Sequence, residues 1–280
     1  MSAWGEWIPV EGRSFETILY SKRHRTRGGG VARILLNRPA NMNAFSPKMA
    51  DELTSALLEA NRDRSIGVIV LSHTGPHFGV GGDVTALQDA VSSGEVLIGG
   101  ITPDTVFGRC LKPVIAAVRG YVIGMHHHMA YHCDYTIAGE SAVFGQNGPR
   151  VGSPASGAIV AASVNVIGMK RAKELWMRCR QLSPQEALDA GLINSVVQDR
   201  LIEAEVERWC DDLLDRVPVC IAAIKQTFTA ANASIMFTDN FLTMIEPDFA
   251  GQLELAEAGA SFFEKRPPNF WTEEMTAARF

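Results

Sequence analysis

The chain has 280 residues, of which 46% are hydrophobic and 20% charged, with a net charge of −5. Such a chain buries a sizeable core, and its acidic balance argues against a nucleic-acid partner. No window approaches the roughly 18 uninterrupted apolar residues of a membrane span, and MSAWGEWIPVEGRSF at the N-terminus has no apolar run of signal-peptide length, so the expectation is a cytoplasmic protein without membrane contact.

Strand-like runs begin with ETILYS (16–21) and VARILLNR (31–38). Between them KRHRTR (22–27) runs into Gly28, Gly29 and Gly30 and reads as a hairpin loop, either solvated or touching a phosphate-bearing ligand. Ser46 is placed to cap a helix through about Arg62, with Met49, Leu53, Ala56, Leu57 and Ala60 on one face. The strand GVIVLSH (67–73) leads into the glycine-rich turn of HFGVGGDVTAL (77–87) and another helix, with Asp83 favoured as its cap. PVIAAVRG (113–120) is a core strand. Gly120 and Gly124 permit a sharp turn after it, MHHHMAYHC opens a helix, and DYTIAGE (134–140) is strand-like again.

Past Ser153 helices dominate, around 156–167, 169–180, 184–190, 200–215, 218–232 and roughly 240–263. The order is α/β, with residues 1–205 as the core and 206–280 as a helical C-terminal region. Trp209, Leu213, Leu214, Ile221, Ile224, Phe228, Phe237, Phe241, Leu242, Met244 and Ile245 exceed what a small helical lobe hides, so oligomerisation through this region is expected. Cys110, Cys133, Cys179, Cys210 and Cys220 form no CxxC pair and read as reduced, buried thiols.

Two glycine turns that each follow a strand can converge, so that backbone N–H groups of Gly82 and Met125 meet on one carbonyl oxygen. The helix opening at Met125 adds unpaired N–H groups, and an oxygen gaining negative charge would be stabilised there. Gly79, Gly81 and Gly82 let the backbone approach a ligand closely. His126, His127 and His128 occupy the first turn of that helix, whose positive end favours neutral, proton-accepting imidazole. Successive positions point about 100° apart, so at most one of His126 and His127 shares the side of His128. His132 lies one turn beyond His128, but no third ligand is evident and no metal is expected. His73 and His77 flank the first turn and are read as shaping it. Ser153 either bonds substrate or stabilises its loop, and Arg150 either approaches substrate or forms a surface ion pair.

Together NRPANMNAF (37–45), FGVGGD (78–83), KPVIAAVRGYVIG (112–124), CDYTIAGESAVFGQ (133–146) and LSPQEALDAGLINSVV (182–197) resemble the crotonase, or enoyl-CoA hydratase/isomerase, superfamily over about residues 15–270. FGQNGPRVGS, KRAKELWMRCRQLSPQEALDAGLIN and FFEKRPPNF are most similar to 1,4-dihydroxy-2-naphthoyl-CoA synthases and 2-ketocyclohexanecarboxyl-CoA hydrolases. The resemblance implies a crotonase-type spiral of ββα turns with a helical C-terminal oligomerisation region, assembled as a homotrimer or a dimer of trimers. It implies an acyl-CoA substrate, with CoA entering as part of that substrate and no other cofactor. The oxyanion donors carry over to the N–H groups of Gly82 and Met125. The nucleotide would lie near Arg38, Asn41, Met42 and Ala44, with Gly81 allowing close approach.

The departures from the family pattern shape the expected chemistry. His128 and Gly148 stand where family hydratases carry two glutamates, Ala155 replaces an aspartate of the two nearer groups, and residues 249–252 hold no tyrosine. His128 is therefore the leading acid/base candidate, with His127 and Ser153 behind it. The leading reading is hydrolytic or retro-Claisen C–C cleavage of a β-keto acyl-CoA, including cyclic ones. Hydration or isomerisation with histidine replacing glutamate, naphthoyl-CoA-type ring closure, and acyl-CoA binding without chemistry remain open.

Overall fold

β-Branched and aliphatic runs build the central sheet because such side chains pack well on a pleated surface. The computed structural model describes residues 4–12, 14–83, 107–152, 155, 157–232 and 253–278. Contacts divide the chain into two compact units, Met1–Phe144 with Leu182–Ala230, and Gly145–Gln181 with Ala231–Phe280. No helix among the described residues is long and apolar enough to cross a membrane.

In the first unit, strands β1 (Ile8–Pro9), β2 (Ile18–His24), β3 (Gly30–Leu36), β4 (Ile66–His73) and β5 (Val114–Val118) are followed by β6 (Tyr121–Ile123) and β7 (Tyr135–Gly139). The chain leaves this unit through β8 (Val143–Gly145), returns through β9 (Gln181–Leu182), and adds β10 (Ser195–Val197). Among the described residues seven strands form the main sheet, in the order β1, β2, β3, β4, β5, β7, β10. β1–β2 and β2–β3 are antiparallel, whereas β3–β4, β4–β5, β5–β7 and β7–β10 are parallel. All five expected strand runs are present. β5 is buried at every position, as a central parallel strand covered on both faces should be.

Helix α1 (Pro47–Arg62) starts as expected: the Ser46 hydroxyl accepts from the Met49 N–H at 3.2 Å and Pro47 occupies the first turn. Its buried face holds Met49, Leu53, Ala56, Leu57 and Ala60, and also Glu52, whose carboxylate accepts from the N–H groups of Glu16 at 3.0 Å and Thr17 at 2.8 Å. Burial opposes ionisation of Glu52, but bonds from the Thr17 side chain and the Glu16 and Thr17 backbones outweigh it and hold the carboxyl below the usual range.

The basic cluster is not a loop. Lys22, Arg23 and His24 belong to β2, and the turn follows at Arg25, where the Arg25 N–H donates to Gly29 O at 2.9 Å. Lys22 pairs with Glu59 of α1 and with Asp63 just beyond its end. Helix α2 (Met125–His132) begins after β6, and Ser183 with Glu186 forms a capping box ahead of α6 (Pro184–Asp189). Helix α7 (Ile202–Leu214) supplies Glu207 to Arg23 at 2.9 Å and Asp211 to Arg25 at 3.3 Å, and Asp215 just beyond it binds Arg25 and Arg27. Arg23 also lies 4.4 Å from the rings of Trp4 and Trp7. These guanidinium groups are engaged by acidic and aromatic partners, which supports neither a solvated loop nor the alternative of a phosphate contact.

Helix α7 packs Ile202, Val206 and Cys210 on Val31, Val68, Ile115 and Ile137, with Trp209, Leu213 and Leu214 partly buried beside them. These three residues, expected at an oligomer surface, are covered largely by their own chain. A Cβ at Gly67 would lie 2.5 Å from Leu214, which shows how closely the helix approaches the sheet. Helix α8 (Pro218–Ala231) buries Lys225, whose ammonium reaches Asp134 at 2.6 Å and Lys112 O at 2.9 Å. Phe237, Phe241, Leu242, Met244 and Ile245 lie outside the described residues. Four cysteines are buried as expected, whereas Cys220 on α8 is exposed.

The second unit contains α3 (Gly148–Val151), α4 (Ala158–Ile167), α5 (Met169–Met177), α9 (Leu253–Glu264) and α10 (Glu273–Ala278). Trp176 of α5 donates to the Ser163 hydroxyl of α4 at 3.0 Å. A Cβ at Gly152 would lie 2.6 Å from Leu255 O, so the end of α3 is held close to α9.

Glu52→Gln places an amide donor where two N–H groups need an acceptor, and urea unfolding at pH 7 should show a loss of about 1–3 kcal/mol. The folded pKa of Glu52 lies below its unfolded value, so its stabilisation is present above about pH 4.3 and is lost as the pH falls through the folded value. The gap between wild type and variant should therefore close in acid.

Candidate active site

β4 and β5 are parallel neighbours, so the turns that follow them leave the same edge of the sheet. The first turn is held from both sides. The Gly79 N–H donates to Tyr121 O at 2.8 Å and the Ile123 N–H to Gly79 O at 3.0 Å, while the Phe45 N–H donates to Gly81 O and the Asp83 N–H to Phe45 O, each at 2.8 Å. The second turn uses Gly120 at φ 59° and Gly124 at φ 61°. A Cβ at Gly120 would overlap Pro76 O, and one at Gly124 would lie 3.2 Å from the Gly81 Cα.

Gly81 and Gly124 therefore touch, and the residue after each is an expected oxyanion donor. Gly82 is exposed, a Cβ there would meet no atom of the described residues within 4 Å, and Met125 is half-buried at the first position of α2. Neither N–H donates to a backbone acceptor among the described residues. The helix carries no acidic residue in its first turn, so its positive end is uncompensated there.

The first three of the four histidines of α2, His126, His127 and His128, are buried in different surroundings. His126 faces the first turn: its Nδ1 accepts from the Gly81 N–H at 3.2 Å, and its ring meets Phe78 and Phe45 edge-on at 5.7 and 6.1 Å. Burial, then nearby His73, lowers its pKa to about 3 against an opposing contribution from the Asn43 backbone. His127 lies between the rings of Tyr131 and Phe144, 5.4 and 5.8 Å away. His128 packs 5.9 Å from Tyr131 and, three residues past Met125, lies near Met125's side of the helix. His132 lies beside Tyr131 at 4.9 Å.

His73 packs edge-on against Phe78 at 5.8 Å, and burial lowers its pKa to about 4. His77 stacks on Tyr121 at 4.6 Å and its Nδ1 accepts from the Tyr121 N–H. Both contacts support the turn-shaping reading.

The NRPANMNAF turn is built around a residue that sequence reasoning missed. Asn43 is fully buried at φ 55°. Its Oδ1 accepts from the Arg38 N–H at 2.7 Å, and its Nδ2 donates to Thr74 O at 3.1 Å and His77 O at 2.8 Å. The signal was present in principle, because asparagine tolerates a left-handed backbone and bonds local peptide groups. Arg38 turns inward, donating to Ala44 O at 2.6 Å and to Asp83 at 2.9 Å. Asp83 is thus an ion-pair partner, and the helix it was expected to cap lies outside the described residues. Asn41 and Met42 are exposed, and Ala44 is half-buried.

Ser153 lies outside the described residues. Gly148 opens α3 and brings no side chain, and Arg150 is exposed beside Arg178, Cys179, Arg180 and Gln181 around a cavity of about 230 Å³. In the first unit a cleft of about 770 Å³ runs past His77, Arg119, Gly120, Tyr121, Ser141 and Asp199. Neither space is lined by Gly82 or Met125.

A family model described as enoyl-CoA hydratase/isomerase matches residues 26–273. The crystal structure of an enoyl-CoA hydratase/isomerase from Pseudoalteromonas atlantica T6c is 25% identical over 91% of this chain and 100% of that one, with a TM-score of 0.79. A monofunctional enoyl CoA isomerase from M. smegmatis is 27% identical over 78% of this chain and 94% of its own, with a TM-score of 0.63. A methylmalonyl-CoA decarboxylase in complex with 2-nitronate-propionyl-CoA is 24% identical over 93% and 100%, at a TM-score of 0.79, a likeness of fold.

Asn43→Ala removes one acceptor and two donors at a buried turn, and chemical denaturation should show a loss of about 3 kcal/mol.

Proposed function

This chain belongs to the enoyl-CoA hydratase/isomerase family, and we propose that it cleaves the C–C bond of a β-keto acyl-CoA by hydrolytic or retro-Claisen chemistry. The observation that supports the proposal is the contact of Gly81 with Gly124, since Gly82 and Met125 follow these two glycines and Met125 opens α2 at its positive end. Charge on a thioester oxygen is stabilised by two fixed donors, and losing one typically costs about 3 kcal/mol of transition-state stabilisation.

In the proposed reaction His128 takes a proton from water as the water oxygen adds to the β-keto carbon. The bond between the α- and β-carbons then breaks. The β-carbon leaves as a carboxylic acid, and the electron pair passes to the thioester as an enolate, whose oxygen faces the two N–H groups. The α-carbon takes the proton back from His128. Buried imidazole at the start of α2 supports this role, as does the glycine at position 148, which offers no carboxylate.

Hydration is the second reading. The description of the matched family and the names of the relatives favour it, and it requires His128 and bound water to serve where family members use two glutamates. Likeness to the naphthoyl-CoA synthase and ketocyclohexane hydrolase groups remains a proposal resting on the FGQNGPRVGS region. Ala155 weakens the likeness to both groups, and the lack of a tyrosine at 249–252 weakens ring closure in particular.

The CoA nucleotide is proposed to lie against Asn41, Met42 and Ala44, with Arg38 bracing that turn from within. We also propose a homotrimer or a dimer of trimers. The support is α8, where Val219 is 72% exposed, Ile224 57% and Phe228 67% in the single chain.

Crotonyl-CoA, 2-ketocyclohexanecarboxyl-CoA and succinylbenzoyl-CoA should be incubated with purified protein and the products fragmented by mass spectrometry, since hydration and ring opening both add water. A ring-opened diacid from the cyclic keto ester is expected. His128→Ala should lower that turnover about 10²–10⁴-fold while CoA binding by calorimetry persists; hydration of crotonyl-CoA alone would favour the second reading, and CoA binding without turnover a binding protein. Ile224→Asp with Phe228→Asp should shift sedimentation to the single-chain mass.

A further inference from the structure

Resting on the oxyanion reading above, we infer that His126 is a positioning residue: it wedges between the two glycine turns and fixes the direction of the Gly82 N–H. The Gly82 N–H and the Gly81 carbonyl belong to one planar peptide group, so whatever orients that plane aims the donor. One bond holds this plane directly, and a second holds the preceding Val80–Gly81 plane to which it is joined at the Gly81 Cα. On one side of Gly81 its carbonyl oxygen accepts from the Phe45 N–H at 2.8 Å, and on the other its N–H donates to His126 Nδ1 at 3.2 Å. Between these anchors Gly81 is held at φ 100°, a conformation open to glycine.

The wedge and its socket are matched. His126 is fully buried, and a Cβ at Gly79 would overlap its ring, so glycine at 79 is what admits an imidazole at 126. The edge contacts with Phe45 and Phe78 close the remaining sides. A bond received at Nδ1 places the ring proton on Nε2, and burial keeps the ring neutral, so the acceptor persists at ordinary pH. His126 therefore acts on the substrate through the Gly81–Gly82 peptide and needs no contact with it.

The probe is acetoacetyl-CoA, whose enolate has its own near-ultraviolet absorbance, with unacylated CoA binding measured in parallel by calorimetry. His126→Phe fills the socket without an acceptor and should lower the bound enolate signal about tenfold to a hundredfold, as expected for a misaimed donor, while CoA affinity is retained. His126→Asn carries an amide oxygen close to the position of Nδ1 and should recover most of the signal. Gly79→Ala should reproduce the loss, and adding His126→Ala to it should relieve the overlap without recovering the signal, because the acceptor is then gone. Met125→Pro deletes the other donor at a helix position that tolerates proline and tests the oxyanion reading separately.

An enolate signal lost in Met125→Pro but intact in His126→Phe overturns this inference alone. Wild type with no enolate, unchanged by Met125→Pro, overturns the oxyanion reading and this inference with it. Loss of CoA affinity in His126→Phe without recovery in His126→Asn identifies a merely structural side chain and also overturns it.

Discussion

Backbone turns come within van der Waals distance only where side chains are absent, and the candidate site depends on that condition being met at Gly81 and Gly124. The sheet brings the turns to one edge, because β4 and β5 run parallel and adjacent. Gly120 permits the chain to double back under Pro76, and the bonds between Gly79 and β6 draw the first turn onto the second. Asn43 and Arg38 then fasten the preceding loop to both Thr74 and Asp83. Much of the first unit's polar bonding near this edge thus serves to hold peptide groups still, which is what preorganised stabilisation of a developing charge requires.

Three identical side chains in succession show how much of the chemistry is set by surroundings. His126 is held against peptide groups, His127 lies among aromatic rings, and His128 lies beside Tyr131. Helical geometry separates their directions by about 100° per residue, and the elements packed on each side do the rest. The sequence announced a histidine-rich helix start, but the surroundings of His126, Gly81 with Phe45 and Phe78, lie distant along the chain.

The parts that were legible share a cause. The five strand runs, the Ser46 cap, the apolar face of α1 and the two glycine turns are each specified within a few residues. What could not be read is non-local. KRHRTR resembles a loop because the acidic partners of its arginines follow some 190 residues later, and strand alternation among charged residues carries no hydrophobic signal. Trp209, Leu213 and Leu214 looked available for another chain until the sheet beneath α7 was in view. Arg38 was expected to face a nucleotide, and only the position of Asp83 explains why it turns inward.

The long reach of those arginine pairs bears on how the molecule is assembled as it is synthesised. Arg25 closes its ring of partners at residues 28, 211, 214 and 215, and Arg23 depends on Glu207. While a ribosome is still extending the middle of the chain, the opening hairpin carries cations whose counter-charges do not yet exist. Contacts of such sequence separation form late, so the first strands to emerge are among the last to be electrostatically complete, and a chain halted before α7 would leave the arginines of its opening hairpin without their acidic partners.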